Sequence, residues 1–337
     1  MPVPVPTPTP GILGIDVGGT KVALRIEPAG TTGPAWADGT EPVEASLRWA
    51  PSASAAHDLD DLAAEVTALR ARWSGPVSAV GIAMPATVDP NGQVATWPGR
   101  PSWTGMAFAD AMRTLVPGAR VAYADDGDLA ALAEADAAGC PDLVYLGIGT
   151  GVGGGIVLEG RPCPPLGHGS AEIGHMVIAA GGARCGCGRR GCVQATASGP
   201  ATLRRAAQYR AEAETRTATW APGDTVSGDI TPAAAVGVEF ADLRPAWLDG
   251  IDWAVRAVQE SALAAAVAVV SLTEVLHPEL VVVGGGFADG LPGFAQAVDE
   301  QARALGRPGH PPAPVQAARL GGLSSLSGAL LLARQTS

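Results

Sequence analysis

Two segments of this chain, far apart in sequence, carry one design: an apolar run, a glycine-rich turn and a second apolar run. The first is Gly11-Ile-Leu-Gly-Ile-Asp16-Val-Gly18-Gly19-Thr20-Lys21-Val-Ala-Leu-Arg-Ile; the second is Leu143-Val-Tyr-Leu-Gly-Ile148-Gly149-Thr150-Gly151-Val-Gly153-Gly154-Gly155-Ile-Val-Leu. Short apolar runs bounded by turn residues predict strands, so each copy predicts a strand, a turn and a strand. One such hairpin says little, because any tight turn needs residues that accept positive φ. Two copies predict two α/β halves, each offering backbone N–H groups that consecutive glycines leave uncovered, a geometry suited to phosphate. A chain of 337 residues is long enough to give each half its own core.

The remaining pattern fills in those halves. Asp58 to Trp73 predicts an amphipathic helix, Val77 to Pro85 a buried strand, and Asp128 to Ala138 a helix. Ala197 to Ala213 and Asp252 to Leu276 are helical by periodicity, separated by a Gly-, Pro- and Thr-rich connection. Leu280-Val-Val-Val is a buried strand ending on Gly284, Gly285 and Gly286, and Ser324 stands as N-cap of a final helix. The opening ten residues alternate proline with small residues; lacking a basic start and an unbroken apolar core, they predict a mobile extended tail rather than a signal peptide. The longest apolar helical stretch, Ala262 to Leu272, is about half a membrane span. A formal net charge of −11 argues against nucleic acid and anionic membranes as partners. The expectation is a soluble cytoplasmic protein.

Glu172-Ile-Gly-His175 is followed closely by Cys185-Gly-Cys187-Gly-Arg-Arg-Gly-Cys192. One imidazole and three thiols make a closed tetrahedral zinc set, and the interleaved glycines let a short loop bring three sulfurs within about 2.3 Å of one ion. Four protein ligands leave no open coordination position, so the zinc is expected to be structural and to brace the loop beside Glu172. The other two of the five cysteines, Cys140 and Cys163, read as ordinary buried or loop thiols.

The Glu-x-Gly-His and Cys-x-Cys-Gly-x-x-Gly-Cys pair resembles the zinc signature of the ROK family of sugar kinases and sugar-responsive repressors, and the similarity runs from Gly11 to about Arg334. The resemblance implies an α/β, two-lobed actin-like ATPase (ribonuclease H-like) fold with a zinc-bound loop. It implies a tail over residues 1–10, a small lobe of 11–122 plus 318–337, and a large lobe of 123–317 carrying the zinc loop and nucleotide site. ATP and Mg²⁺ are the implied cofactors. Asp16 would lie near the Mg²⁺ shell, and Gly18, Gly19, Thr20 and Lys21, the only lysine, would face the phosphates. Gly149, Thr150, Gly151 and Gly153 would form the second phosphate turn, and Gly284, Gly285 and Gly286 would lie on the adenosine side. Asp126, in Asp125-Asp126-Gly-Asp128, aligns with the family's catalytic aspartate, the base for the acceptor hydroxyl; three aspartates at a helix start also suit capping. A homodimer or homotetramer is the implied assembly.

The sugar-reading positions depart from the family's usual pattern. Ala86, Gly99 in the loop reaching Trp103, Asp125 and Gln194 stand where it has Gly, Asn, Asn and Glu, while Glu172 and His175 are retained. A site built to hydrogen-bond hydroxyls discriminates strongly when its polar groups change. The expected acceptor is therefore a sugar-like molecule phosphorylated at a primary hydroxyl, a modified sugar or a C7-cyclitol of secondary metabolism. The alternatives are an ordinary ROK glucokinase, hexose or amino-sugar kinase, and a non-catalytic sugar-binding sensor, against which Asp16 and Asp126 speak. A family repressor needs a helix-turn-helix ahead of Gly11, which the proline-rich tail does not supply.

Overall fold

A computed structural model describes residues 9–30, 41–51, 54–97, 99–219 and 237–336. The first eight residues of the proline-rich tail, Pro98 and residues 220–236 of the Gly-, Pro- and Thr-rich connection lie outside the described residues. In chain order the elements are β1 (Gly11–Val17), β2 (Lys21–Pro28), β3 (Val43–Arg48), α1 (Ala55–Ala71), β4 (Val77–Ala83), β5 (Thr87–Val88), β6 (Val94–Thr96), α2 (Phe108–Leu115), β7 (Arg120–Ala124) and α3 (Asp126–Ala138). There follow β8 (Leu143–Ile148), β9 (Val152–Leu158), β10 (Arg161–Pro162), α4 (Val193–Ala197), α5 (Gly199–Thr219), α6 (Phe240–Leu248) and α7 (Asp252–Leu276). The chain ends with β11 (Leu280–Gly284), α8 (Gly286–Asp289), α9 (Phe294–Leu305), β12 (Val315–Ala317) and α10 (Ser324–Thr336).

Both predicted hairpins form, and each seeds a five-stranded sheet of the same plan. The first sheet has the order β3-β2-β1-β4-β7 and the second β10-β9-β8-β11-β12. In each, the opening hairpin is antiparallel, and two later strands extend the sheet in parallel from its first strand, β4 then β7 beyond β1 and β11 then β12 beyond β8. The duplicated motif is thus the sequence trace of a duplicated topology. Parallel strands must be covered on both faces, which is why Ile12, Leu13 and Ile15 on β1 and Val281 and Val283 on β11 are almost wholly buried.

One compact unit comprises residues 1–137, 161–170 and 323–337; the other comprises 138–160 and 171–322. The boundary therefore falls later than the 122/123 and 317/318 positions expected from the family pattern. Two tertiary contacts account for this: β7 is hydrogen-bonded to β4 through Ala124, and α3 is tied to α10 by Ser324, whose buried hydroxyl donates to Glu134 Oε1 at 2.7 Å. Strand β7 and helix α3 therefore go with the first sheet.

Helix boundaries moved where capping overrides periodicity. α1 begins before Asp58, at Ala55, because Ser54 Oγ accepts the His57 N–H at 3.2 Å as an N-cap. The helix predicted from Ala197 divides into α4 and α5 at Ser198. α7 has the predicted bounds and, at 25 residues, is longer than the apolar Ala262–Leu272 stretch within it; by length and composition it could cross a membrane. Its Ala254, Val258, Ser261, Ala265 and Val269 form one fully buried stripe in the core of the second unit.

Candidate active site

In the first unit the register of the three parallel strands sets Asp16, Ala83 and Ala124 in one row. The residues beyond that row leave the carboxyl ends of the strands together: 18–21 after β1, 84–86 after β4, and Asp125 with Asp126 after β7. Open α/β sheets bind ligands at such ends. Asp125 caps α3, its Oδ1 accepting the Gly127 N–H at 3.0 Å, which places Asp126 as the first helical residue.

Asp126 and Asp16 are electrostatically strained. Burial, and then the charge of Asp16, push the Asp126 carboxyl up to about 7. Burial raises Asp16 to about 6, partly offset by the Lys21 ammonium. A carboxylate poised near neutrality suits acceptance of a hydroxyl proton. Two carboxylates that disfavour each other's charge also suit a hard divalent cation with oxygen ligands, so the donor set fits Mg²⁺. Thr20 and Lys21 are exposed on the turn, Gly99 lies against Gly19, and Ala86 is half-buried against the core of the unit.

The second unit repeats the arrangement with glycines. Its turn closes through Gly149 N–H to Gly151 O at 2.9 Å, and α5 starts on it, Gly199 N–H donating to Gly149 O at 2.9 Å. Thr150 and Gly153 are exposed. Gly284 pairs with Gly147, so 284–286 and 149–153 follow the carboxyl ends of adjacent parallel strands. Gln194 belongs to this turn: its Oε1 accepts the Val152 N–H at 2.9 Å. That bond engages one lone pair of the side-chain oxygen and holds the amide in place, leaving its NH₂ group to donate.

The zinc loop rests on the same strand. A Cβ on Gly174 would lie 1.8 Å from Val152 O, so Glu172-Ile-Gly-His175 can approach β9 only with glycine at that position. Four ligand atoms, from His175, Cys185, Cys187 and Cys192, lie within 4.8 Å of one another. Cys187 Sγ is 3.7 Å from Cys192 Sγ, and Cys185 Sγ is 3.7 Å from His175 Nδ1. Sulfurs about 2.3 Å from a tetrahedral centre stand about 3.8 Å apart, so these two pairs already stand at the spacing that zinc ligands need. The loop is closed by Cys185 N–H to Arg189 O and Gly191 N–H to Ala183 O. Gly191 has φ +71°, and a Cβ there would meet Ala179 O at 1.6 Å. Glu172 is exposed immediately before this braced turn.

The sequence reading missed one cluster in the first unit. Asp58 sits on the buried stripe of α1 with Leu62, Val66 and Leu69, and it accepts from Arg100 Nε at 2.8 Å, Arg100 Nη2 at 2.6 Å and Trp103 Nε1 at 2.7 Å. An acidic residue at an apolar position of a helix was the signal available.

Comparison with known proteins gives this geometry its context. The family model described as "ROK family" matches residues 12–336. A kanosamine kinase of Amycolatopsis mediterranei is 49% identical over 321 residues, covering 95% of this chain and 95% of that protein. Among solved structures, a ROK family glucokinase from Streptomyces griseus in complex with glucose and AMPPNP superposes with TM-score 0.74 at 28% identity, covering 96% of this chain and 99% of that one. A ROK hexokinase from Thermus thermophilus gives TM-score 0.74 at 27% identity over 97% and 98% of the two chains. Two sheets of one plan, a Cys₃His cluster and a match over nearly the whole length agree: this chain belongs to the ROK family.

Proposed function

We propose that this ATP-dependent sugar kinase transfers a phosphoryl group to the primary hydroxyl of an amino sugar of the kanosamine type. The observation that carries the reading is Asp126, a half-buried carboxylate raised to about 7, at the carboxyl end of a parallel strand with Asp16 beside it. Asp126 takes the proton of the acceptor hydroxyl as its oxygen bonds to the γ-phosphorus and the bond to the β-phosphate oxygen breaks, releasing ADP. Mg²⁺, when bound, neutralises charge on the phosphate oxygens, and Asp16 is the residue that would hold it. The turns at 18–21 and 149–153 supply backbone donors to phosphate, with the Lys21 ammonium beside the first, and the glycines at 284–286 serve the adenosine side. His175, Cys185, Cys187 and Cys192 would hold a structural zinc ion, which would brace the turn that begins at Glu172.

Acceptor choice follows from the changed polar groups. Kanosamine is an amino-deoxy analogue of glucose, so at neutral pH it brings an ammonium where glucose brings a hydroxyl. Asp125 offers a carboxylate beside the base, and charge-assisted hydrogen bonds of that kind are about twice as strong as neutral ones. Gln194 contributes a donor where a carboxylate would accept. The named relative at 49% identity supports an amino sugar over the C7-cyclitol alternative. An ATP-consumption assay across kanosamine, glucose, N-acetylmannosamine and a C7-cyclitol tests the proposal. The expected order has kanosamine ahead of glucose by about a hundredfold in kcat/KM. Equal use of glucose would return the chain to the glucokinases, and turnover confined to the cyclitol would replace the amino sugar.

A further inference from the structure

The turn after β1 is clasped by one side chain that phosphate chemistry does not require. Trp49, just past the end of β3, donates its backbone N–H to Thr20 O at 3.1 Å and its indole Nε1–H to Gly18 O at 2.8 Å. In a trans peptide the C=O and the following N–H point in opposite directions. Holding Gly18 O toward the indole therefore turns the Gly19 N–H away from it. The peptide between two glycines is otherwise among the easiest in a chain to flip, because neither residue has a Cβ to forbid the alternative dihedrals.

The indole is itself fixed. Trp103 meets it edge-on with ring centroids 5.9 Å apart, and the Arg100 guanidinium lies 5.1 Å from its ring centroid. Arg100 is in turn paired to Asp58, which is fully buried and also accepts from Trp103. A buried ion pair of this kind adds little stability over apolar residues of the same shape, but it does fix orientation. Here what it orients is the ring that holds the turn.

We infer that Trp49 is a positioning residue for the nucleotide phosphates: its indole keeps the Gly18–Gly19 peptide with the Gly19 N–H turned outward, and the Asp58–Arg100–Trp103 cluster keeps the indole in place. The inference rests on the reading of residues 18–21 as a phosphate-holding turn. Trp49→Phe keeps an aromatic ring in the core but removes the donor together with part of the ring volume. Trp73→Phe is the control, a buried tryptophan of the same core whose Nε1 has no hydrogen-bond partner. Binding of a non-hydrolysable ATP analogue and of adenosine is measured by calorimetry, together with KM for ATP and for the acceptor. Trp49→Phe is expected to weaken the analogue and raise KM for ATP about tenfold, leaving adenosine binding and acceptor KM within about twofold. Trp73→Phe should change none of these. If Trp49→Phe binds the analogue as wild type does, weakens adenosine in parallel, or is matched by Trp73→Phe, the positioning role is refuted while the phosphate turn stands. A wild-type protein that fails to bind the analogue overturns both.

Discussion

Replacing Asp126 by asparagine should stabilise the fold and destroy the activity at once, and the two effects should separate by pH. The Asp126 carboxyl stands at about 7 in the folded protein against an ordinary 3.8, through burial first and the Asp16 charge second. Its proton is held more tightly folded than unfolded, so protonation favours the folded state. The stability it contributes is fully present below about pH 4 and is lost as pH rises through about 7. A shift of about three units is worth about 4 kcal/mol, and because Asp16 shares the repulsion, about 2–4 kcal/mol falls to Asp126 alone. Asparagine keeps the shape and one acceptor oxygen and carries no charge. Melting of the magnesium- and nucleotide-free protein, without chelator so that zinc is retained, should show the variant about 3–6 °C more stable at pH 8. Near pH 5 the gain should shrink to about a third of that, and below about pH 4 it should vanish. Turnover with ATP and the acceptor should fall by about a hundredfold or more at every pH. A variant no more stable than wild type at pH 8, or one whose gain is equal at pH 5, would refute the strained-carboxylate argument; near-normal turnover would remove Asp126 as the base.

Three further outcomes follow from other parts of the structure. Cys187→Ser should lower zinc content and thermal stability together, and protein purified without chelator that contains no zinc would defeat the structural-zinc assignment. Asp125→Asn should cut kcat/KM for kanosamine by about tenfold or more and leave glucose equal or better, so an unchanged ratio between the two sugars would remove Asp125 from acceptor choice. Arg100→Met leaves the Asp58 carboxylate buried without its partner and should cost about 3–5 kcal/mol in denaturant unfolding, whereas Asp58→Leu with Arg100→Met together should recover much of that loss.

The Cys₃His cluster was legible from spacing alone, because ligands so close in sequence can meet without help from the rest of the fold. Asp16 and Asp126 were legible as strand-end residues, and the matching turns at 18–21 and 149–153 already marked two sheets of one plan. Periodicity placed α7 at its observed bounds, since a buried stripe repeating at helical spacing needs no long-range information. The unit boundary was not legible: whether β7 and α3 go with the first sheet depends on pairing to β4 and on a hydroxyl of Ser324 reaching Glu134 from the far end of the chain. Gln194 read as a free sugar-facing amide until the fold brought the Val152 N–H to its oxygen. Asp58 stood out as an acidic residue on the apolar face of α1, but its partner Arg100 and the Trp49 clasp had no mark in the local pattern. Local spacing fixes which groups can share one ion or one helix face. Only the tertiary structure decides which polar atoms of distant segments are left facing each other out of water, and there their pKa values and their orientation are set.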